Sequence, residues 1–599
     1  MSMRAFRATH LLALTTALGT AVPVLAQQAP TLEEIVVTAT KRSENLQLVP
    51  VAVSALSSTD LAEQGVFETS DLSAKMPNLQ VSSAYGAQQP NFSLRGIGVG
   101  TEYNANAASP VGVYVDEVYQ TFRSSHGQQL YDLEQIEVVR GPQGTLYGRN
   151  TTGGAINFIT RRPGLKDSNG YLTVGYGRFN RFALEGAVEA TPVEDKLGFR
   201  LAGTYLHADP YMHNRLAAGL NKSSPNLPDA AAFGNQSTGI DPGGPESYGL
   251  RGTVRFKPSE TIDVTLKGYA AKTTAGQEVA ISTGPSLTDD TISLRTTPFG
   301  ALYGSPLAGI LPADYSRTAR GLSDREVESD GVNDALTRSE GAVLNIRAEL
   351  SDDLNLISIS GYDSGRYSQS PTSDCDGTPV RGCTIGYDSP FKAVNQDVRL
   401  DWDADRFKLI VGAYYGWDRM HSMNRPDFYN FLSDIRKAAG LPATYFNPGG
   451  AFNGTLLPVD ALPTGIRGTQ EFVQTRKSYA VYSEGSYELT DSLKLTAGAR
   501  YTWDKFAYTD ALSIFYDDTG AARLVTVSGY APGGVEQPYI IGVSPGSYTP
   551  LERRATSSKP TGRVVLDWKL DDDVMTYGSY SRGYRGGTFN GLAYHTNLH

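Results

Sequence analysis

From residue 170 onward, apolar and polar residues alternate along the chain in segments of roughly ten positions. In residues 494–504, for example, Leu495, Tyr501 and Trp503 fall on one face and Lys494 falls on the other. Residues 261–270 and 563–570 repeat the pattern. Since successive side chains of a strand point to opposite faces, a period of two predicts β-strands with one apolar and one polar face.

The connections between these predicted strands are short and long in turn, and the polar faces carry full charges such as Arg251, Arg399 and Asp401. A soluble sandwich has no reason to gather every long loop at one end. A bacterial outer-membrane barrel does so, with tight periplasmic turns and long extracellular loops. The long connections are residues 209–246, 276–339, 370–389, 421–473 and 509–553.

The spacing predicts about 13 strands between Gly170 and Arg585. Residues 354–367 alternate imperfectly, which favours a bulge there. A bacterial barrel needs an even number of strands and a paired last strand. Because the chain stops at His599, just after the thirteenth predicted strand, we expect that it is the N-terminal part of a longer barrel.

Residues 27–169 predict a different unit, a small α+β domain rich in glycine turns. Its strand candidates are Val111–Val115 and Gln135–Val139, and its helix candidates are residues 58–63 and 69–75.

The N-terminus predicts export. Residues 1–26 combine a basic start, an apolar stretch and Val24-Leu25-Ala26 before Gln27, which fits a signal peptide cleaved after Ala26. No later run of about 18 apolar residues could form a transmembrane helix.

Composition is compatible with a barrel, although a secreted sandwich would share it. The chain has 63 Gly, 34 Tyr and 10% aromatic residues, which suit many turns and interfacial aromatic girdles. A net charge of −10 disfavours a nucleic-acid partner. Cys375 and Cys383 lie close together in a turn-rich stretch of an exported chain, so we expect a local disulfide rather than a metal site.

Several motifs resemble those of the TonB-dependent outer-membrane receptors. Thr31–Arg42 looks like the TonB box, and Tyr580–Gly587 fits a barrel strand of that family. The plug of the family is matched by residues 92–98, 111–116, 136–148 and 153–157. The resemblance implies an α+β plug domain inside an antiparallel transmembrane β-barrel, with 22 strands in the intact family and about 13 here. The implied division is a signal peptide at 1–26, an N-terminal extension with the TonB box at 27–45, a plug at 46–165 and a partial barrel at 170–599.

The implied TonB box is Glu34, Ile35, Val36, Val37, Thr38 and Ala39. An extended segment rich in β-branched residues can pair edge to edge with a strand of periplasmic TonB, so that a pull on it is carried by a backbone ladder. Alternatively, these residues form a linker or the first plug strand.

The resemblance also implies a latch between plug and barrel. Arg95 and Arg140 are similar to plug arginines that face acidic residues of the barrel wall, and Glu484 and Glu488 are the candidate partners. The glycine-rich clusters around Gly141 and Gly154 are interpreted as sharp structural turns, not as phosphate or dinucleotide sites.

Ligand contacts are expected in turn-rich plug stretches that look exposed; packing against the barrel wall is the alternative for each residue. His126 has no partner at metal-ligand spacing, so no metal or cofactor is expected. The candidates are Tyr85, Gln88, Gln89, Tyr103, Asn104, Tyr119, Phe122, Arg123 and His126.

The expected function is TonB-dependent import of a scarce nutrient by a monomer in the outer-membrane lipid, with a ferric siderophore as the default cargo. An oligosaccharide, cobalamin or an aromatic compound are the alternatives. A passive porin would lack the plug, and a surface hydrolase would need a nucleophile and base that we do not find. A signalling receptor would carry a folded domain before the box, and only residues 27–30 separate the predicted cleavage site from Thr31.

Overall fold

The structure is a computed structural model. It describes residues 35–83, 89–99, 107–127, 130–216, 239–276, 321–329, 334–370, 383–428, 466–516, 522–523, 526–530, 536–540, 551–571 and 574–588. The predicted signal peptide lies outside these ranges.

The N-terminal unit is a small plug of short strands and helices. Its predicted helix at 58–63 is confirmed, and Ser57 and Asp60 form a capping box at its start. The helix predicted at 69–75 begins as a 3-10 turn, Thr69–Asp71. The strands are β1 Val36–Val37, β2 Glu44–Asn45, β3 Val53–Ser57, β4 Leu79–Ser82, β5 Asn91–Leu94, β6 Val111–Val115, β7 Val118–Tyr119, β8 Leu133–Arg140 and β9 Gly154–Thr160; the helices are α1 Ser58–Glu63 and α2 Leu72–Lys75, with 3-10 turns at Leu46–Leu48 and Arg123–Ser125.

Five plug strands form a mixed sheet in the order β3-β8-β9-β6-β7, in which β9 runs parallel to β6. Leu72, Ile136 and Ile156 are fully buried in its core. All five residues of β6 are buried, because the core covers one face of the sheet and the barrel wall covers the other. Gly141 has a φ of 88° in the turn after β8, as expected for a glycine that reverses the chain.

The C-terminal unit is a large antiparallel sheet that curves around the plug. Thirteen strands follow one another in chain order, which confirms the predicted count. They are β10 Gly170–Gly177, β11 Arg181–Val193, β12 Leu197–His207, β14 Glu246–Ser259, β15 Ile262–Gly276, β17 Asp334–Ser351, β18 Leu354–Gln369, β19 Cys383–Ala404, β20 Phe407–Phe428, β21 Ile466–Glu488, β22 Leu493–Tyr516, β26 Leu551–Lys569 and β27 Met575–Arg582; short strands β13 His213–Asn214, β16 Glu326–Val327, β23 Ala522–Arg523, β24 Thr526–Tyr530 and β25 Glu536–Ile540 lie in the long connections.

Two details differ from the sequence-based expectation. The strands extend further into the long connections than alternation indicated: β20, for example, continues to Phe428. Backbone pairing can persist where polar residues occupy both faces, so alternation underestimates strand length. The structure has no bulge from Asn355 to Tyr367, where β18 pairs in regular register with both neighbours. The register with β17 shifts only at the hairpin end, between Glu349 and Ser351, which pair with Asn355 and Leu354. Gly361 interrupts the pattern instead, since a Cβ at that position would lie 2.4 Å from Val118 of the plug.

The two faces of the large sheet differ as the alternation predicted. Large apolar side chains point away from the plug and are exposed, such as Leu172 and Val188. Charged side chains such as Arg200 and Arg251 point toward the plug and are buried. The structure contains, in its described part, no helix that is long and apolar enough to cross a membrane.

Candidate functional site

The predicted TonB box lies between the plug and the barrel wall. Glu34 falls outside the described residues, and Ile35–Ala39 are described. Strand β1 pairs antiparallel with β2, and Val37 lies opposite Glu44 in the backbone register. Val37 and Ala39 are almost completely buried. They belong to one apolar cluster with plug and barrel side chains, which include Tyr114, Tyr147, Ile410 and Tyr482.

Thr38, at the centre of the box, is held by a buried carboxylate of the plug. Its amide nitrogen donates to Glu137 Oε1 at 2.5 Å, and its hydroxyl lies 3.1 Å from each carboxylate oxygen. Asn157 donates to the same hydroxyl at 3.3 Å, and Gln135 donates to Glu137 at 2.7 Å. Burial raises the pKa of Glu137, while the hydrogen bonds from Thr38 oppose that rise.

Lys41, two residues after the box, joins a buried charge cluster that spans plug and barrel. Its Nζ lies 3.0 Å from Glu117 Oε2, and Arg399 of β19 lies 3.0 Å from the same oxygen. Burial alone would raise the pKa of Glu117, but Arg399 and Lys41 together hold it well below its usual range. Glu117 is therefore ionised and connects the end of the box to the barrel.

Arg42 forms a second, direct link to the barrel wall. Its Nε donates to Asp401 Oδ1 at 2.9 Å, and its Nη2 donates to the carbonyl of Trp402 at 3.2 Å. Both side chains of the ion pair are largely buried. The residues that follow the box are thus linked to β19 twice, through Glu117 in the case of Lys41 and directly in the case of Arg42.

Other ion pairs hold the body of the plug to the inner face of the barrel. Arg149 lies 3.1 Å from Asp418, which also accepts from Arg476 at 2.6 Å. Asp132 lies 2.6 Å from Arg200. Asp116 pairs with Lys267 of β15. These charged groups are buried, apart from Asp116, which is partly buried, so each needs its partner to offset the loss of hydration.

The structure does not join the predicted latch residues to one another. Glu484 binds Arg563 of β26 in a bidentate pair at 2.7 and 2.6 Å. On the intervening strand β22, Gly498 is paired in register with both residues. Because Gly498 has no side chain, Arg563 can extend across β22 to Glu484. The prediction that Glu484 pairs with a plug arginine is therefore corrected.

The remaining latch candidates lie apart from this pair. Arg140 donates to Ser54 of the plug. Arg95 is exposed in a left-handed turn, with a φ of 52°. The backbone amide of Glu488 donates to the Arg406 carbonyl at the opposite rim from the long loops.

The predicted ligand residues that the structure describes are buried rather than exposed. Phe122 packs against Phe391 of β19 with tilted rings at a centroid distance of 4.5 Å, and Asn395 donates to the Tyr119 carbonyl at 3.2 Å. His126 Nε2 lies 3.1 Å from the Gln120 carbonyl, and burial lowers the pKa of this imidazole to about 3. Gln89 and Arg123 are buried as well. The expectation of exposure is wrong for these five residues, because the barrel wall covers the turns that carry them.

Some predictions lie outside the described residues. Tyr85, Gln88, Tyr103 and Asn104 are among them, as is Cys375. Only the backbone of Cys383 is described, at the start of β19. The disulfide and these ligand contacts stay predictions. Within the described ranges, no three His, Cys, Asp or Glu side chains come together as ligands for a metal.

Sequence reasoning missed the residues that hold the box, above all Glu137, Lys41 and Arg42. A signal was present, because Glu137 is a charged residue directly between the apolar residues Ile136 and Val138. A carboxylate at such a position is expected to have a specific partner. That partner is 99 residues away in the chain, so it could not be read from local spacing.

Comparison with known families matches both units. The TonB-dependent receptor plug domain matches residues 45–155, and the TonB-dependent receptor-like β-barrel matches residues 276–598. The pesticin receptor of Yersinia pestis is 31% identical over 160 residues, which are 26% of this chain and 23% of that protein. The ferrioxamine B receptor of Salmonella typhimurium is 28% identical over 205 residues, 32% of this chain and 28% of that protein.

Solved structures share the fold at low sequence identity. The ferric yersiniabactin uptake receptor of Yersinia pestis superposes with a TM-score of 0.62 at 17% identity, over 90% of this chain and 65% of that one. The open form of a ferric-catecholate import receptor of E. coli K12 gives 0.58 at 15% identity, over 91% and 71%. The matches thus span about a quarter of the curated relatives and about two thirds of these solved chains. With both family domains matched in order, the chain belongs to the TonB-dependent receptors of the outer membrane.

Proposed function

We propose that this receptor imports a ferric siderophore across the outer membrane, with energy delivered by TonB through the box at Glu34–Ala39. Relatives named for ferrioxamine B and ferric yersiniabactin support an iron-chelate cargo. The proposal includes the domain division given above, with the extension at 27–45, the plug at 46–165 and the barrel at 170–599.

The observation that carries the proposal is the docking of the box. Thr38 is held by Glu137, and Lys41 and Arg42 are held by Glu117 and Asp401. The box is therefore held in a folded position in which Val37 and Ala39 are buried and Val36 is exposed. A segment stored in this way has to be released before a partner strand can pair with it.

Release of the box would couple ligand binding to the force that TonB applies. The strands that hold the box also form the plug sheet: Glu137 lies in β8, and β8 pairs along β9 and β3. A ligand that shifts the plug turns facing the long loops would act on the same sheet. A TonB strand paired with the freed box would then pull on β1 and on the segment that leads into β3.

The ligand is proposed to enter from the long-loop side and to meet the plug stretches that contain Tyr85, Gln88, Tyr103 and Asn104. The buried candidates Tyr119, Phe122 and His126 would contact it only after the plug rearranges, since the barrel covers them in this state. The charged inner wall suits a polar, multiply hydrogen-bonding cargo.

A cobalamin cargo is the second candidate, because a vitamin B12 transporter of Vibrio vulnificus is 29% identical over 165 residues. Both cargoes are tested in one experiment. Iron-starved cells that produce the receptor would be offered ⁵⁵Fe-labelled ferrioxamine B and, separately, ⁵⁷Co-labelled cyanocobalamin, with and without a protonophore.

Two variants make this experiment specific. Val36→Pro removes a backbone donor from the box, whereas Val36→Thr keeps it. We expect uptake of the iron complex that is abolished by the protonophore and by Val36→Pro and is retained by Val36→Thr. Uptake of cobalamin alone would show that cobalamin is the cargo, and it would leave the proposed energy coupling through the box unchanged. Uptake that persists with the protonophore and with Val36→Pro would contradict energy coupling through the box.

A further inference from the structure

A small cavity lies between the plug and the barrel wall, beside the ion pair of Lys41 and Glu117. Its volume is about 20 Å³. A cavity needs roughly 10–15 Å³ to hold a water molecule, so this one accommodates a single small occupant. Arg500 of β22 lines it from the barrel, and Lys41 and Tyr119 line it from the plug side. An occupant would therefore contact both units at once.

Arg500 brings a positive charge to this cavity without a carboxylate beside it. Its side chain is only 4% exposed, and its Nε donates to Thr502 Oγ1 at 3.2 Å. In the part of the chain that the structure describes, neither terminal nitrogen has a hydrogen-bond partner and no carboxylate forms an ion pair with the guanidinium. The guanidinium carbon lies 5.3 Å and 5.2 Å from the ring centres of Tyr414 and Tyr482. A buried charge in such a setting needs a compensating charge.

Neighbouring arginines of the inner wall differ from Arg500, because each has a carboxylate partner. The pairs are Arg399 with Glu117 at 3.0 Å, Arg476 with Asp418 at 2.6 Å and Arg563 with Glu484 at 2.6 Å. The wall thus neutralises these buried arginines with its own side chains or those of the plug. Among the described residues it provides no such partner for Arg500.

The described charges around the cavity leave one positive charge in excess. Three cations, Lys41, Arg399 and Arg500, stand against two carboxylates, Glu117 and Asp397. Lys41 and Arg399 engage Glu117, and Arg399 also lies 3.3 Å from Asp397. The cation in excess is therefore Arg500. A water molecule would fill the space but leave this charge, whereas one monovalent anion would balance it.

Groups from both units can donate hydrogen bonds to an anion in the cavity. The barrel supplies the two terminal nitrogens of Arg500. The plug supplies the Tyr119 hydroxyl, which accepts from Asn150 Nδ2 at 2.8 Å, so its own hydrogen is available for another acceptor. Gly148 of the plug lets the guanidinium lie against the plug backbone, since a Cβ there would lie 2.9 Å from Arg500 Cζ.

We propose that this cavity binds a halide-sized monovalent anion such as chloride, held by Arg500 of the barrel and Tyr119 of the plug. Phosphate groups and organic carboxylates are too large for a cavity with room for one small occupant. Because the anion contacts both units, it stabilises the docked plug, and it does so whichever cargo is imported.

The first test locates the anion directly. Crystals of the full chain in detergent, soaked in sodium bromide, would be measured at the bromine absorption edge, where bromide scatters anomalously. We expect an anomalous peak at the Arg500 guanidinium in the unmodified chain. Arg500→Met, which removes the charge but keeps a long side chain, should lose the peak, and Arg338→Gln, at an exposed arginine, should keep it. No peak in this cavity of the unmodified chain would overturn the proposal.

A second measurement on the unmodified chain decides the matter even if Arg500→Met does not fold. Its thermal unfolding midpoint would be compared in sodium chloride and in sodium gluconate at equal ionic strength, so that surface charges are screened alike. An anion that binds only the folded chain raises the midpoint as its concentration increases. Chloride should therefore raise the midpoint, and gluconate, which is too large for the cavity, should not.

The variants separate specific binding from the general action of salt. Arg338→Gln should keep the upward shift in chloride, and Arg500→Met should lose it. Equal midpoints of the unmodified chain in the two salts would overturn the proposal. A chloride shift of the same size in Arg500→Met would assign the effect to general salt action and would overturn it as well.

Discussion

The carboxylate of Glu137 accepts hydrogen bonds from both the backbone amide and the hydroxyl of Thr38. This places the centre of the predicted TonB box against the middle of plug strand β8. Since Glu137 is fully buried, its hydrogen bonds to Thr38 cannot be replaced by water without opening the site. Strand β8 therefore holds the predicted box in place through Glu137.

Replacement of Glu137 by Ala should free the box. Loss of the two bonds from Thr38 shifts the opening equilibrium on the order of 10- to 100-fold, since a hydrogen bond to a charged group contributes about 1.5–3 kcal/mol. The measurement is the rate of maleimide labelling at Val37→Cys, a buried position, in a background with Cys375→Ser and Cys383→Ser.

Glu134→Ala is the matched control, because Glu134 lies on the same strand with its side chain exposed. Labelling should stay at the unmodified rate in that variant. An unchanged rate in Glu137→Ala would show that the box is held by its apolar contacts alone.

The ion pair between Arg42 and Asp401 should add a second barrier to release. Asp401→Asn removes the charge that compensates the largely buried Arg42 and should raise labelling at Val37→Cys about ten-fold. Asp403→Asn is the control, since Asp403 and its partner Lys408 are both exposed. If Arg42→Ala and the double variant label as fast as Asp401→Asn, the two residues act as one unit; additive effects would contradict this coupling.

The sequence predicted the architecture well because strand alternation is a local property. The α1 helix, β6 and the thirteen-strand sheet all follow from period and turn chemistry within short windows. The partners inside the barrel could not be predicted in this way. As an acidic residue on an inner face, Glu484 is expected to pair with a plug arginine. In the structure it pairs instead with Arg563, two strands away. That outcome depends on Gly498 between them and on the register of three strands, which no local pattern contains.

Gly498→Ala should weaken the inner wall of the barrel. A Cβ at this position would lie 2.8 Å from Glu484 Oε2 and 2.8 Å from Thr145 Cγ2 of the plug. The added methyl group should displace the Glu484 carboxylate from Arg563 and press on the plug, at a cost of about 1–3 kcal/mol. The measurement is the thermal unfolding midpoint in detergent, which should fall by several degrees.

Gly268→Ala provides the comparison, because a Cβ there would meet nothing within 4 Å. Its midpoint should equal or slightly exceed that of the unmodified chain, since alanine restricts the unfolded backbone more than glycine does. Equal effects of the two substitutions would show that the space at Gly498 has no role in the ion pair.

The plug should lose stability in mild acid through His126. Burial lowers the pKa of His126 to about 3, while the unfolded imidazole titrates near 6.5, so between these values the unfolded state binds the extra proton. Above pH 6.5, His126 makes its full contribution to the free energy of unfolding. Below pH 6.5 this contribution should fall by about 1.4 kcal/mol per pH unit. Urea unfolding followed by labelling of Val138→Cys, a buried plug position, measures this slope in the cysteine-free background.

His126→Gln should remove that part of the slope, whereas His213→Gln, at an exposed histidine, should leave it unchanged. A slope that persists in His126→Gln would assign the acid sensitivity to the paired carboxylates, of which Glu117 has a lowered pKa and also loses its stabilising charge as the pH falls.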